Sequence, residues 1–267
     1  MWIEIPSMAI AVLLGLAIGS FLNVAIYRIP AGLSILFPPS HCPLCSHRLS
    51  MADNIPVFGW LALGGKCRYC HSPISWRYPT IEAITGLLFL GVYLQFGLSW
   101  ETVGYCFCLS WLLVLAMIDW DTFTLPNVLT QFGLVMGLLY QLLRGAGEAS
   151  PFLDGIFGAI LGLWLFEIII ILGSFLLGQA AMGEGDAKLA AAIGAWLGWK
   201  LLLLSGFLAC LIGAGVGVGA IASGQLKRRQ KMPFGPFLAL GGALTIFWGD
   251  RMISAYIQFF FSPNLIG

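Results

Sequence analysis

The stretch FLDGIFGAILGLWLFEIIIILGSFLL, Phe152 to Leu177, places only two charged side chains, Asp154 and Glu167, among 26 residues. A helix on the surface of a soluble domain alternates an apolar stripe with a charged face, whereas this one is apolar all round. It also exceeds the roughly 20 residues a helix needs to cross a bilayer core. The fold class follows: an all-α polytopic membrane protein.

The rest of the chain agrees. Of 267 residues 59% are hydrophobic and 9% charged, against about 25% charged in soluble domains. Walking outward from Phe152 to Leu177, about eight spans are expected, near Ile5 to Tyr27, Pro79 to Phe96, Thr102 to Ile118, Pro126 to Leu143, Phe152 to Leu177, Ala187 to Trp199, Leu201 to Ala222 and Pro233 to Ile257. The sixth is the shortest, and its boundary with the seventh rests on Gly198-Trp199-Lys200. The first span has no basic segment before it and no small-residue cleavage signal, and it reads as retained. Thirteen basic and twelve acidic residues leave a net charge of +1, too little field to gather nucleic acid.

The basic residues report topology. Arg28, Arg48, Lys66, Arg68, Arg77, Lys188 and the cluster Lys227-Arg228-Arg229-Gln230-Lys231 fall on one side of the eight spans. The positive-inside rule makes that side cytoplasmic and puts both chain ends outside. Three regions result: a first helix over 1–27, a cytoplasmic insert over 28–78, and a membrane core over 79–267. Glycines such as Gly158, Gly162 and Gly213 to Gly219 read as close-packing positions.

The insert holds Cys42-Pro-Leu-Cys45 and Cys67-Arg-Tyr-Cys70, two knuckles separated by 21 residues. Four thiolates at this spacing suit the closed tetrahedral shell of a structural zinc ribbon, and a cytoplasmic location disfavours disulfides. With four cysteines completing the shell, His41, His47 and His71 are expected beside it or on the surface. An iron–sulfur or redox reading lacks any visible electron partner. Cys106, Cys108 and Cys210, inside spans, are expected to be small packing residues.

Chemistry is expected elsewhere. Asp119-Trp120-Asp121 closes the third span and Gly183-Glu184-Gly185-Asp186 opens the sixth, both on the cytoplasmic side. Carboxylates at the edge of apolar helices are costly and mark function, although Asp186 also suits a capping role at a helix start. If Asp119 and Asp186 face each other, repulsion leaves the pair sharing a proton, so that one activates water while the other protonates the leaving amine. Glu167 is expected to be neutral and hydrogen-bonded within the bundle. A single acid without basic partners gives thin support to a proton-coupled transporter, which together with a noncatalytic zinc-bearing scaffold forms the alternative reading.

These motifs together resemble the bacterial prepilin peptidases, inner-membrane aspartic proteases with a glycine-x-glycine-aspartate motif. The resemblance runs through Gly19-Ser20-Phe21-Leu22-Asn23-Val24, Tyr27-Arg28-Ile29-Pro30, both cysteine knuckles, Asp53-Asn54-Ile55-Pro56, Arg77-Tyr78-Pro79-Thr80-Ile81-Glu82, Ile118-Asp119, Leu125-Pro126 and Gly183-Glu184-Gly185-Asp186-Ala187-Lys188-Leu189. It implies that Asp119 and Asp186 are the catalytic pair, with Gly183, Glu184, Gly185, Lys188 and Asp121 around them. Asp121 and Glu184 can meet the basic leader of a substrate, while Lys188 can act on a neighbouring carboxylate or an oxyanion, or simply reach the interface.

The substrates implied are type IV prepilins or type II secretion pseudopilins, cut on the cytoplasmic side after a glycine while their apolar stem stays in the lipid. The four-cysteine insert resembles that of bifunctional members, which also methylate the new N-terminus with S-adenosylmethionine. No residue is assigned to that donor. Asn23 and Arg28 have structural readings as strong as functional ones, Asp53 and Glu82 remain open between folding and substrate roles, and Asn127 departs from the aspartate that often follows Leu-Pro in the family.

Overall fold

A computed structural model describes residues 4–145, 148–178, 182–225 and 232–261. They form α1 (Glu4–Arg28), the short α2 (Phe58–Ala62), α3 (Arg77–Phe96), α4 (Trp100–Thr122), α5 (Asn127–Arg144), α6 (Ala149–Leu177), α7 (Glu184–Ala222) and α8 (Gly235–Phe261). The chain divides into two compact units, 1–110 and 111–267, with the boundary inside α4. The basic cluster Lys227 to Lys231 lies outside the described residues, so the topology drawn from it rests on sequence alone.

In the first unit α1 packs on α3 without intervening side chains. A Cβ on Gly15 would fall 2.8 Å from the Gly86 Cα, and one on Gly19 would fall 2.7 Å from the Glu82 Cα. With backbones this close, polar residues on the two helices reach backbone partners. Asn23 donates to the Tyr78 carbonyl at 3.1 Å, and the Arg28 guanidinium donates to the carbonyls of Ser34 and Pro38 at 3.0 and 2.6 Å. The Val57 amide donates to Glu82 Oε2 at 2.7 Å, which fixes the start of α2, where Val57 adopts φ +62°. These buried polar groups hold the insert to its flanking helices.

The insert itself is two knuckles built alike. In the first, Ser46 N donates to the Cys42 carbonyl and Cys42 N to the His47 carbonyl; in the second, His71 N donates to Cys67 and Cys67 N to Ser72. Ser46 and His71 occupy matching left-handed positions, both at φ +56°. Asp53, buried, accepts from Arg68 Nε at 2.9 Å and from Ser50 N at 3.3 Å, which braces the second knuckle. The Arg68 guanidinium beside Asp53 holds its carboxyl below the usual carboxylate range.

In the second unit α7 is where expectation and structure meet most closely. Its helical run is broken at Gly198, φ +78° and ψ 172°. Ala190 and Gly206, each eight residues from that break, both reach α6: a Cβ on Gly162 would lie 2.7 Å from the Ala190 carbonyl oxygen, and one on Gly206 would lie 3.3 Å from Phe166 Cζ. Neighbouring turns of α6 therefore touch both limbs, 184–197 and 199–222, so α7 doubles back at Gly198. The first limb is buried against α5 and α6, where Gly158 and Gly194 bring α6 and α7 into backbone contact. Trp196 Nε1 donates to the Gly133 carbonyl, and Gln141 Nε2 donates to the Trp196 carbonyl, at 2.9 and 2.8 Å. The second limb packs on α8, joined by a 2.9 Å bond between the Ser205 and Thr245 hydroxyls.

The span count is settled only in part, and some other expectations need correction. Among the described residues, five helices are long and apolar enough to cross a membrane: α1, α3, α4, α6 and α7. Helices α5 and α8 form at two further expected spans, but their polar residues keep them out of that set, and the sixth and seventh expected spans are the two limbs of one run. Glu167 is exposed on α6 instead of being hydrogen-bonded in the bundle; α6 buries the face carrying Gly158, Gly162 and Phe166, and Glu167 projects from another. Cys108 is buried as expected, but Cys210 faces outward. Gly215 and Gly219 meet nothing within 4 Å, so that part of the glycine run is not a packing surface.

Candidate active site

Asp119 lies in the last turn of α4, and the chain then leaves the helix through Phe123, whose amide bonds back to the Asp119 carbonyl at 2.9 Å. Phe123 takes a left-handed φ of +54°, and Thr122 closes the turn by donating to the Ile118 carbonyl and bonding the Thr124 hydroxyl, both at 2.8 Å. Pro126, extended at φ −61° and ψ 125°, sits just before α5; its fixed φ turns the chain into the next helix. Leu125 is thereby presented to the start of α7.

There Gly183 is the capping residue and Asp186 the third residue of the helix. The Asp186 carboxylate accepts from the Gly183 amide at 3.1 Å, and the Asp186 amide donates to the Gly183 carbonyl at 3.1 Å. A helix start leaves such amides without partners, and a carboxylate in the first turn meets both the amide and the positive end of the helix dipole. Gly185 is in contact with the Leu125 side chain: a Cβ there would lie 2.8 Å from Leu125 Cβ. That contact draws the two acidic signatures together.

Asp119 is held in the same way by another helix start. Its Oδ2 accepts from the amide of Gly235, the first residue of α8, at 2.9 Å. A Cβ on Gly235 would fall 2.7 Å from that oxygen. Both residues are 5% exposed, and their carboxyl groups lie near enough to interact electrostatically. Each uses Oδ2 for a backbone amide, and each Oδ1 is without a hydrogen bond among the described residues. The arrangement offers two pinned carboxyl groups, each with one oxygen free of partners among the described residues.

The remaining residues singled out in the sequence are spread around this pair. Glu184 and Asp121 are exposed. Lys188 Nζ donates to Asn127 Oδ1 at 2.7 Å, so it ties α7 to the start of α5. Gly183 has room for a side chain, since a Cβ would be 3.7 Å from its nearest neighbour, Asp186 Oδ2. Gly235 was missed; the only sequence signal for it is its place in Pro233-Phe234-Gly235-Pro236, at the start of a helix.

In the insert, the sulfurs of Cys42, Cys45, Cys67 and Cys70 all lie within 4.8 Å of one another, a cluster able to coordinate a metal ion. The Cys42–Cys70 and Cys45–Cys67 separations are 3.7 and 4.0 Å. A tetrahedron with metal–sulfur bonds near 2.3 Å has edges of about 3.8 Å, so the donor set fits zinc in size and chemistry. Backbone amides of Cys45 and Leu44 at the Cys42 sulfur bring that thiol down to about 6. The three histidines are outside the cluster: His41 bonds the Pro39 carbonyl and His47 lies against the Tyr69 ring.

Two family models match the chain, one after the other in sequence. Residues 13–96 match the model of the bacterial peptidase A24 N-terminal domain, and residues 106–218 match that of the type IV leader peptidase family. A protein of Stutzerimonas stutzeri named prepilin leader peptidase/N-methyltransferase is 36% identical, with 93% of each chain covered. This chain belongs to the type IV leader peptidase family. Proteins with the same name from Aeromonas hydrophila and Burkholderia pseudomallei are each 37% identical; the first match covers 93% of both chains, the second 91% of this chain and 85% of the relative. No solved structure matches the chain. Leader peptidase membership thus extends over both units, the cysteine cluster as well as the carboxyl pair.

Proposed function

We propose that the protein is a membrane aspartic endopeptidase that removes the basic leader of type IV prepilins or type II secretion pseudopilins by cutting after glycine, and that it then methylates the new N-terminus. The observation that carries the reading is the Asp119–Asp186 pair, each carboxyl pinned by one oxygen to a helix-start amide, in a chain whose relatives carry the name prepilin leader peptidase/N-methyltransferase.

The chemistry follows from the free oxygens. Water between them loses a proton to the ionised carboxylate as it attacks the scissile carbonyl carbon. The protonated carboxyl partner donates to the carbonyl oxygen, and collapse of the tetrahedral species sends a proton to the leaving amine. No covalent intermediate forms. Pinning Oδ2 removes rotational freedom from both side chains before substrate arrives. The scissile segment must enter extended, because a helical backbone keeps its carbonyls inside its own hydrogen bonds. Glu184 and Asp121, exposed beside the pair, face the leader's positive charge.

Cys42, Cys45, Cys67 and Cys70 hold a structural zinc, since a shell closed by four thiolates has no position for substrate; the insert over 28–78 folds around it. S-adenosylmethionine supplies the methyl group when bound. Asn23, Arg28 and Glu82 are engaged by backbone groups of the insert and its flanking helices, and no described residue is assigned to the donor. Counting the two limbs of α7 separately, and α5 and α8 as crossings, gives eight spans in the bacterial inner membrane with the carboxyl pair and the insert on the cytoplasmic side.

The test is cleavage by purified protein in lipid of a substrate with a basic leader, a Gly-Phe junction and its apolar stem, read by mass spectrometry with and without S-adenosylmethionine. Asp119→Asn and Asp186→Asn proteins that remain folded should each lose activity by about 10²-fold or more. Retained cleavage in both would remove the pair from the chemistry, and absence of cleavage by zinc-loaded wild type would favour a scaffold or transporter.

A further inference from the structure

The insert turns large apolar side chains outward where a loop in water would turn polar ones. Between Arg28 and His41 the chain carries no charged residue. Within that stretch Leu33, Ile35, Leu36 and Phe37 are all exposed, the last two at 74%. The peptidase reading gives them no role.

The backbone of this loop is turned the other way. The Leu33 amide donates to the Arg28 carbonyl at 2.9 Å, and the amides of Leu36 and Phe37 both donate to the Ser34 hydroxyl oxygen at 3.3 Å. The carbonyls of Ser34 and Pro38 accept from the Arg28 guanidinium, which is itself buried. Backbone groups satisfied inside and apolar side chains outside is the arrangement that lipid demands, since no water is there to meet an open amide or carbonyl.

The level of the loop is fixed as well. Arg28 ends α1, one of the five candidate spans, so the bonds to Arg28 hold residues 33–37 at that end of the span. The contacts Gly15–Gly86, Gly19–Glu82 and Asn23–Tyr78 run in antiparallel register. That register sets Trp76, exposed just before α3, level with the last turn of α1. Tyr27 in that turn and Tyr78 opposite it are exposed too. Tryptophan and tyrosine collect at the headgroup level of a bilayer, where the ring is apolar and the tip is wet. The apolar loop is therefore continuous with the lipid-facing ends of two spans.

We propose that residues 33–37, together with Trp76, form an interfacial anchor that seats the cysteine-bearing insert on the phospholipid surface, with Leu36 and Phe37 reaching the acyl chains and Trp76 at the headgroups. An amphipathic segment at this level binds through the apolar area it buries. Lipid asks for no matching polar partner, and the uncharged loop offers none. The inference rests on the spans and on Arg28, not on the peptidase reading.

The test places the photoreactive residue p-benzoylphenylalanine at Leu36 or Phe37 in the full chain, purified into vesicles of bacterial phospholipid, and identifies the adducts by mass spectrometry after illumination. Leu14, exposed in the middle of α1, is the reference for lipid, and Leu44, exposed between Cys42 and Cys45, is the reference for water. Phospholipid adducts should form at Leu36 and Phe37, as at Leu14, and about tenfold more often than at Leu44, the ratio expected from burying one large apolar side chain. Leu36→Asp should bring the adducts at Phe37 down towards the Leu44 level while helix content is kept. Adducts no more frequent than at Leu44, or indifferent to Leu36→Asp, overturn the proposal. Crosslinks to another segment of this chain or to a second copy in place of lipid overturn it too, and name what covers the loop instead.

Discussion

Asp119 and Gly235, 116 residues apart in sequence, are joined by a 2.9 Å hydrogen bond from the Gly235 amide to Asp119 Oδ2. The bond ties the end of α4 to the start of α8 and decides which oxygen of Asp119 is free. A methyl group on Gly235 would sit 2.7 Å from Asp119 Oδ2 and must displace the carboxyl. Gly235→Ala should therefore lower kcat for leader cleavage by about 10²-fold, as expected for a displacement near 1 Å, with KM little changed and some loss of thermal stability from the broken buried bond. Unchanged kcat would separate this contact from catalysis.

The two glycines before Asp186 should respond differently. Gly185→Ala forces a Cβ against Leu125 and should cost about 1–3 kcal/mol through overpacking, parting the acidic signatures and lowering both thermal stability and cleavage. Gly183→Ala meets only ordinary contacts and should leave stability close to wild type. Thermal melts of the two variants in the same detergent compare them directly.

Asp53 gives the insert a pH dependence of known sign. Its folded-state pKa is held below the ordinary carboxylate value, chiefly by the hydrogen bond from Arg68. Its stabilising effect is thus fully present above the unfolded value near 3.9 and is lost as pH falls through the lower folded value. Hydrogen exchange over 28–78 should show wild type better protected than Asp53→Asn at neutral pH, with the difference vanishing on acidification below about pH 4. A difference that persists in acid would contradict the pairing.

Metal content should follow the thiolates. Wild type should carry one zinc per chain, whereas Cys67→Ser should lose it and open the 28–78 segment to proteolysis. His47→Ala, which removes only the ring lying against Tyr69, should retain the metal. Elemental analysis of the purified variants decides this.

How much could be read from sequence depended on contrast. Asp119, Asp186 and the four cysteines stood out because their chemistry clashes with apolar surroundings or repeats at ligand spacing. Gly235 could not, being one of 34 glycines, and its role is a backbone amide aimed by tertiary folding. Glu167 was misread for a related reason: α6 is apolar all round, so no periodicity marks which face is buried. The bond from Lys188 to Asn127 was not legible either, since 61 residues separate the two in sequence. The turn at Gly198 was legible as a weak boundary because glycine, tryptophan and lysine interrupt the apolar run, but its sharpness comes from a φ that glycine adopts readily.

That turn also works as a ruler. Gly198 lies next to Asp154, whose Cβ would be 3.7 Å from a Cβ built on the glycine, and Asp154 marks one edge of the apolar run of α6. Asp186 is twelve residues back along the limb, about 18 Å of helix, against a hydrocarbon layer of about 30 Å. With that limb upright and the Gly198 turn at one edge of the layer, the carboxyl pair would be recessed by roughly 12 Å from the other edge. On the proposed function, a cut made there would be located by depth as well as by side-chain recognition. A client whose greasy segment is a turn too long or too short would offer the wrong peptide bond to the same two acids.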